Sequence, residues 1–537
     1  MASRDDASAT QLLALAQERF GVRRFRRGQR ALIEAALRGQ DALGILPTGA
    51  GKSLTYQLPA LLLPKPVLVV SPLISLMQDQ QEKLSELDIP SAKLNSTLGA
   101  RREREVVAEV KQGAHELIYI TPERLENPEY LDLLKKQGCS LFVVDEAHCV
   151  STWGHDFRPA YLGLRDARRQ LGDPPLLALT ATATPEMIDD ILKQLGARQP
   201  QIVQMGVERK NLKLEVARTP RAGQKRERLL ELLREEQGAG IVYVATIKKA
   251  AELHKWLLAQ GIAAGLYHGK LKAREREETQ QRFMAGELKV MVATNAFGLG
   301  IDKQDLRFVV HFNFPDALET YYQEAGRAGR DGKPARILLL YRLEDKRLQS
   351  YFLGGKYPRR DESLRVLTTL RALSKSEAAP SGVTIEALAL AAESHERRTK
   401  VVVAQLESAG LVKKRRDRVL VVRDVRDEEE LNRLLDEYES KRKSDRDRLE
   451  LMMRYAQTGQ CRTQFLNEYF GEESAEQCTH CDNCLAKTAQ QSAPSPVGQQ
   501  SSASERDLHG AREAAERARL ERLVASAVGN VEAADVA

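Results

Sequence analysis

The sequence predicts an α/β protein: two doubly wound parallel-sheet units in tandem, then a winged helix and a helical metal-binding module. Three observations predict it. Short, continuous, β-branched apolar runs of strand length alternate with helical stretches, the pattern of parallel strands buried on both faces. That pattern runs to about residue 211 and restarts at Leu212. Four of the six cysteines are gathered between Cys461 and Cys484.

Composition sets the outer bounds. At 537 residues, 42% hydrophobic and 29% charged, the chain reads as globular and multidomain. A net charge of +7 permits a nucleic-acid partner without requiring one. The first residues show no basic stretch followed by an apolar one, and no run of 18 apolar residues occurs. The expectation is therefore a cytoplasmic protein with no membrane partner.

The first unit is expected over residues 1–211. The octapeptide Leu46-Pro-Thr-Gly-Ala-Gly-Lys-Ser53 follows an apolar run and precedes a helical one. Its backbone N–H groups, from Thr48, Gly49, Ala50 and Gly51 onward, can cradle phosphates. Lys52 reaches the β/γ-phosphates and the Ser53 hydroxyl can ligate Mg²⁺. Read alone, the string could also be a glycine turn with a surface lysine. Upstream, Gln29 offers an amide that both donates to and accepts from an adenine edge, with Arg26 beside it; a solvated basic helix entry is the plainer alternative. Four strand-like runs follow, Val67–Val70, Leu117–Ile120, Leu141–Val144 and Leu176–Leu179. Each ends at a polar string, where open parallel sheets place their ligands. At the third end, Asp145 is expected to hold Mg²⁺ and Glu146 to orient and deprotonate the attacking water. The segment from Cys149 to Tyr161 concentrates Trp153, Phe157 and Tyr161 around Arg158. Exposed aromatics beside an arginine can hold single strands without sequence preference; a local mini-core is the alternative.

The second unit, 212–355, has strand patterns at Gly240–Val244, Ala263–Gly269, Lys289–Ala293 and Phe308–Phe312 but no phosphate loop. It is expected to act on the nucleotide held by the first. Arg327 and Arg330, three apart on one expected helical face between Gly326 and Gly329, can enter an interdomain cleft and neutralise charge on the transferring phosphoryl group. Arg330 would be the finger and Arg327 its support.

These strings, in order, resemble a superfamily 2 helicase, and the aromatic segment with the cysteine cluster narrows the resemblance to the RecQ family of DNA helicases. The resemblance covers roughly residues 10–350 and 430–487. It implies two RecA-like domains, ATP as substrate, and 3′→5′ movement on single-stranded DNA with unwinding of duplex, forked or branched DNA in recombination and repair. It also implies single-strand-binding or repair proteins as partners and, in a bacterium, association with the nucleoid. By position, Asp302 is expected near ATP, and His148, Thr180, Thr182 and Gln323 in coupling hydrolysis to DNA. Ser71, Pro72, Thr121, Arg124, Tyr267, His268 and Thr294 are expected along the DNA. Position 22 is Val where the family usually has an aromatic residue.

Two further segments complete the chain. Residues 356–427 read as three helices and a charged two-stranded ribbon from Leu411 to Val422, a winged helix. Residues 395–426 hold ten Lys/Arg against four acids. Arg415 and Arg416 at the ribbon tip are candidate duplex contacts, with protein docking as the alternative. In better-known relatives this unit follows the zinc module, whereas here it precedes it. In 428–487, a helical hairpin is expected before Cys461, Cys478, Cys481 and Cys484. That C-x16-C-x2-C-x2-C spacing suits a saturated, structural Zn²⁺ site, a redox pair being the alternative. Residues 488–537 read as a low-complexity linker and a short helical tail.

Overall fold

The computed structural model describes residues 9–95, 99–151, 154, 156–298, 303–356, 360–374, 382–415, 418–423, 428–472 and 477–492. Residues 9–485 make one compact unit with the cores described below. Among the described residues, no helix is long and apolar enough to cross a membrane.

The first sheet has seven strands: β1 (Ala42–Ile45), β2 (Val67–Val70), β3 (Ser91–Leu94), β4 (Leu117–Ile120), β5 (Leu141–Val144), β6 (Leu176–Thr180) and β7 (Gln201–Gln204). Their order is β3-β4-β2-β5-β6-β1-β7, with every pair parallel. Side chains alternate between two cores. Val67, Val69, Val143 and Leu179 join one face, while Leu68, Val70, Val144 and Ala178 join the other. Because both faces are covered, the strands read as unbroken apolar runs.

The second sheet has six strands: β8 (Leu212–Arg218), β9 (Gly240–Tyr243), β10 (Ala264–Tyr267), β11 (Val290–Ala293), β12 (Phe308–His311) and β13 (Ala335–Tyr341). They are ordered β10-β11-β9-β12-β13-β8, again all parallel. Two tandem parallel α/β sheets are therefore present, as the alternation predicts. The faces of this sheet are closed differently, however. One face packs on Leu229, Leu232, Leu253 and Leu257 from its own helices. The other packs on Leu449, Met452, Tyr455, Leu466, Phe470 and the four clustered cysteines.

Between these elements lies a small unit of three helices, Arg360–Ser374, Ile385–Ala391 and Glu396–Ser408. It carries a three-stranded antiparallel sheet of β14 (Val383–Thr384), β15 (Val412–Arg415) and β16 (Arg418–Val421). Its core joins Val366, Leu370, Leu388, Val402, Leu406 and Val419. Gly410 ends the third helix at φ +68°, a conformation free of strain only for glycine. Arg415 lies on β15, and Arg416 falls outside the described residues.

The expected helical hairpin is instead one helix, Glu428–Gln457. The sequence has no glycine or proline there to break it. This helix and the following one, Arg462–Tyr469, frame the cysteine cluster.

Candidate functional site

The first sheet ends at a cleft of about 330 Å³ whose walls come from both sheets. From the first come Arg26, Thr48, Gly49, Gly51, Lys52, Ser53, Asp145 and Glu146; from the second come Gln323, Arg327 and Arg330. The loop after β1 turns on two glycines in the left-handed region, Gly49 at φ +84° and Gly51 at φ +79°. Each also leaves room for a particular neighbour. A Cβ on Gly51 would sit 2.5 Å from Gln29 Nε2, and one on Gly49 would sit 3.3 Å from Arg330 Cγ. Gln29 is 3% exposed and its amide donates to the Ala50 and Gly51 carbonyls at 3.1 and 2.9 Å. Arg26 donates to the Gly49 carbonyl. The Lys52 ammonium donates to the Leu46 carbonyl at 3.3 Å, at the cleft floor.

Beyond β5, Asp145 is buried and Glu146 adopts φ +48°. Burial first, and then Glu146, push the Asp145 carboxyl up to about 7, with Lys52 pulling the other way. Two adjacent acids at a cleft floor with one lysine are short of positive charge, so Asp145 and Ser53 fit a divalent cation. The Tyr161 hydroxyl donates to the Asp145 carbonyl at 3.0 Å. Tyr161 is fully buried and so leaves the expected row of exposed aromatics to act as a brace beneath the acid pair.

His148, Thr180 and Thr182 do come together. His148 Nδ1 lies 3.0 Å from Thr180 Oγ1, which donates to the Thr182 carbonyl at 3.0 Å, and 3.4 Å from a Glu146 oxygen. The ends of β5 and β6 are thus joined through His148, which lies beside the acid that lines the cleft.

The expected helical face carrying the two arginines is corrected. The helix ends at Ala325, and Arg327 and Arg330 follow it in consecutive turns. Gly329, at φ +57°, packs so closely that a Cβ would lie 2.4 Å from Asn211 Nδ2. Gly329 thus turns the chain off a helical path, and Gly326, on which a Cβ would lie 3.5 Å from Thr48 Cβ, lets the turn approach the phosphate loop. Arg327 is 5% exposed, donates to the Gly298 carbonyl, and its buried Nε has no hydrogen-bond partner among the described residues. An unmatched guanidinium donor beside the cleft fits an anionic substrate. Asp302 lies outside the described residues.

The residues expected along DNA divide. Ser71 is buried and donates to Asp145 at 3.4 Å, so its side chain serves the cleft. Pro72 presents its carbonyl to Arg158 at 3.2 Å, tying the aromatic segment to the turn after β2. Thr121 is buried at the end of β4, and Arg124 is held by Glu103 at 2.6 Å and the Tyr130 hydroxyl at 2.8 Å. On the second sheet, Tyr267 packs on Phe297 with ring centroids 4.7 Å apart, and His268 and Thr294 are each 8% exposed. Phe157 receives the Lys441 ammonium over its ring at 5.1 Å; Trp153 lies outside the described residues.

The ligand atoms of Cys461, Cys478, Cys481 and Cys484 all lie within 4.8 Å of one another and all four residues are buried. Backbone N–H groups of Arg462, Cys478 and Cys481 point at cluster sulfurs at 3.4–3.5 Å, an arrangement that stabilises thiolates. Four thiolates with amide support fit tetrahedral Zn²⁺ and leave no open position. Arg462 holds Asp482 at 2.5 Å, and Asp482 accepts the Val216 N–H of β8 at 2.8 Å. Sequence reasoning missed this docking, and it also missed Arg209 and Asn211 in the linker between β7 and β8, because no local pattern marks them.

A phosphate-loop cleft shared by two parallel sheets, with an acid pair on one wall and arginines on the other, defines a superfamily 2 helicase architecture. Residues 26–191 match the DEAD/DEAH box helicase family, 224–332 the helicase conserved C-terminal domain, and 424–485 the RecQ zinc-binding family. The chain is 44% identical over 338 residues to the ATP-dependent DNA helicase RecQ of Bacillus subtilis, covering 62% of this chain and 56% of that one. It is 43% identical over 360 residues to the probable ATP-dependent DNA helicase RecS of the same organism, covering 67% and 72%. The chain belongs to the RecQ family. In fold it resembles the DUF1998 helicase MrfA bound to DNA (TM-score 0.53, 18% identity, covering 79% of this chain and 64% of that one). It also resembles Mycobacterium smegmatis helicase Lhr bound to single-stranded DNA and AMP-PNP (TM-score 0.52, 20% identity, covering 79% and 61%).

Proposed function

We propose that this protein is an ATP-dependent DNA helicase that moves 3′→5′ along single-stranded DNA and unwinds duplex or branched DNA in recombination and repair. The observation that carries the reading is the shared cleft. Lys52 and the glycine loop face it from one side, Arg327 and Arg330 from the other, so hydrolysis at this site is sensitive to how the two sheets approach. ATP is bound by the loop, with Gln29 and Arg26 toward its base. Glu146 accepts a proton from the attacking water while Arg330 neutralises charge on the phosphoryl group. Asp145 and Ser53 would hold Mg²⁺, which would supply charge neutralisation at the phosphates. The His148–Thr180–Thr182 chain and Gln323 relay the state of the cleft toward DNA. The strand runs across Pro72, the Phe157 and Arg158 segment, Tyr267, His268 and Thr294.

Under this reading zinc is structural, and the unit spanning 360–423 presents Arg415 and Arg416 to duplex or fork. Single-strand-binding and repair proteins are the partners it implies, with a cytoplasmic, nucleoid-associated location in a bacterium. The domain division proposed is 1–211, 212–355, 356–427 and 428–487, followed by the tail.

The test is ATP hydrolysis by the purified full chain alone, with single-stranded DNA and with RNA, followed by unwinding of 3′-tailed and 5′-tailed duplexes. Stimulation by DNA and opening of only the 3′-tailed duplex are expected. Stronger stimulation by RNA, or hydrolysis without strand separation, would replace the helicase reading with that of an RNA-directed or non-unwinding translocase.

A further inference from the structure

The linker between β7 and β8 carries an arginine that the reading above leaves without a role. Arg209 is partly buried among residues of both sheets. Its Nη1 donates to the Thr48 carbonyl of the phosphate loop at 3.4 Å and to the Gly326 carbonyl at 3.2 Å. Its Nη2 donates to the Ala328 and Gly329 carbonyls at 3.1 and 2.7 Å, and its Nε to Asn211 Oδ1 at 3.3 Å. Asn211 in turn donates to the Gly329 and Lys333 carbonyls at 2.8 and 2.9 Å. One planar guanidinium therefore spans the phosphate loop on the first sheet and the turn carrying Arg327 and Arg330 on the second.

We propose that Arg209 is a positioning residue for hydrolysis: it fastens the arginine-bearing turn to the phosphate loop and so sets the population of the closed cleft. The proposal deepens the ATPase reading and rests on it. Three features support this role over that of an ordinary linker contact. Three acceptors, the Gly326, Ala328 and Gly329 carbonyls, belong to the arginine turn and one, the Thr48 carbonyl, to the phosphate loop, so parting of the sheets breaks the Thr48 bond while the guanidinium keeps its hold on the turn. The clamp also lies beside a close approach of the two units, where a Cβ on Gly326 would meet Thr48 Cβ at 3.5 Å and one on Gly49 would meet Arg330 Cγ at 3.3 Å. Finally, the fork shape matters, since a lysine ammonium is a point donor and cannot span four carbonyls. Arg209 is not among the residues that line the cleft; it acts through Arg327 and Arg330, whose placement decides whether charge on the phosphoryl group is met in the transition state.

The experiment uses the full chain with single-stranded DNA, comparing the parent with Arg209→Ala and Arg209→Lys across ATP concentrations, with thermal unfolding and zinc content measured on the same samples. A misplacement of about 1 Å at a reacting centre costs up to about 10²-fold in rate. Arg209→Ala is therefore expected to lose on the order of 10- to 10²-fold in kcat, with KM for ATP within about twofold because nucleotide binding lies mainly with the first sheet. Arg209→Lys recovers only a fraction of the loss, and added guanidinium ion at millimolar concentration partly restores Arg209→Ala but not Arg209→Lys. A parent-like kcat in Arg209→Ala overturns the proposal, as does a rise in KM that accounts for the whole loss. Should Arg209→Ala fail to fold, Arg209→Lys decides alone, and a parent-like kcat there overturns the clamp. A parent without DNA-stimulated hydrolysis refutes the ATPase reading itself, an outcome separable from any behaviour of the Arg209 variants.

Discussion

The two parallel sheets share an architecture and differ in how they are closed. The first covers both faces with segments from its own stretch of chain, among them Leu32, Tyr56, Val106, Leu131 and Met187. The second covers one face itself and borrows the other wall from the zinc module, where Tyr455, Phe470 and the cysteines pack with Tyr321, Tyr322 and Ala325. Those three belong to the helix that leads into the arginine turn. The Tyr455 and Tyr321 hydroxyls meet at 3.1 Å. The first sheet thus carries its half of the cleft on a self-contained core, whereas the second positions its half against a metal-organised module far along the chain. A parallel α/β fold does not by itself make a nucleotide site. One sheet has the glycine loop and acid pair, the other a turn held in place from behind.

Breaking the comparison at the cleft gives the largest effects. Arg330→Ala is expected to lower kcat for DNA-stimulated hydrolysis by about 10³-fold, the usual scale for such an arginine. Lys52→Ala follows at about 10²–10³-fold, comparable to removing one preorganised donor from a transition state. Steady-state kinetics of the double variant sharpen the point. If the halves act as one site, the double variant is about as slow as the slower single one, since groups acting as a unit are not additive; multiplied losses would mean two separate contributions.

The borrowed wall is probed next. Structural zinc contributes on the order of 10 kcal/mol of apparent binding free energy in small modules, so metal removal by chelation, or Cys481→Ser, should lower the melting temperature and the rate of hydrolysis together. Metal analysis and calorimetry on the same sample check this, and stoichiometric zinc missing from freshly purified, active protein would refute the site. Tyr455→Ala should cost about 3–5 kcal/mol and reduce kcat through the arginine turn. Leu32→Ala, in the first sheet's own core, should cost a similar 2–5 kcal/mol with a smaller effect on kcat per unit of stability lost. Equal coupling of both variants to kcat would dissolve the distinction between the two walls. The smallest effect is expected from Gly49→Ala. A left-handed backbone costs an alanine about 1–2 kcal/mol, and its Cβ presses on Arg330, so a loss of roughly tenfold in kcat is expected, read in the same assay.

Much of this was legible in the residues. The phosphate loop, the acid pair and the strand ends are local: an apolar run specifies a buried strand, and the polar string after it falls at the sheet's carboxyl edge. The cysteine spacing is local in the same sense. The two arginines were legible as residues but not in their setting, because a GxxG-spaced string continues a helical pattern on paper. The helix in fact ends at Ala325, and only the close fit of Gly326 to Thr48 and of Gly329 to Asn211 shows why glycines follow it. The expectation of one exposed aromatic row fails at Tyr161 because composition does not say which aromatic turns inward.

Short-range periodicity and fixed spacing specify the two parallel sheets, the polar strings at the strand ends, the cysteine cluster and the family. The tertiary structure decided which of these meet: Arg330 against Gly49, Gln29 folded over Gly51, the zinc module as a wall of the second core, and Arg209 spanning both sheets. Those are contacts between segments far apart in the chain. They are set by how whole surfaces fit and by which buried donors find acceptors, and neither is written in any local pattern.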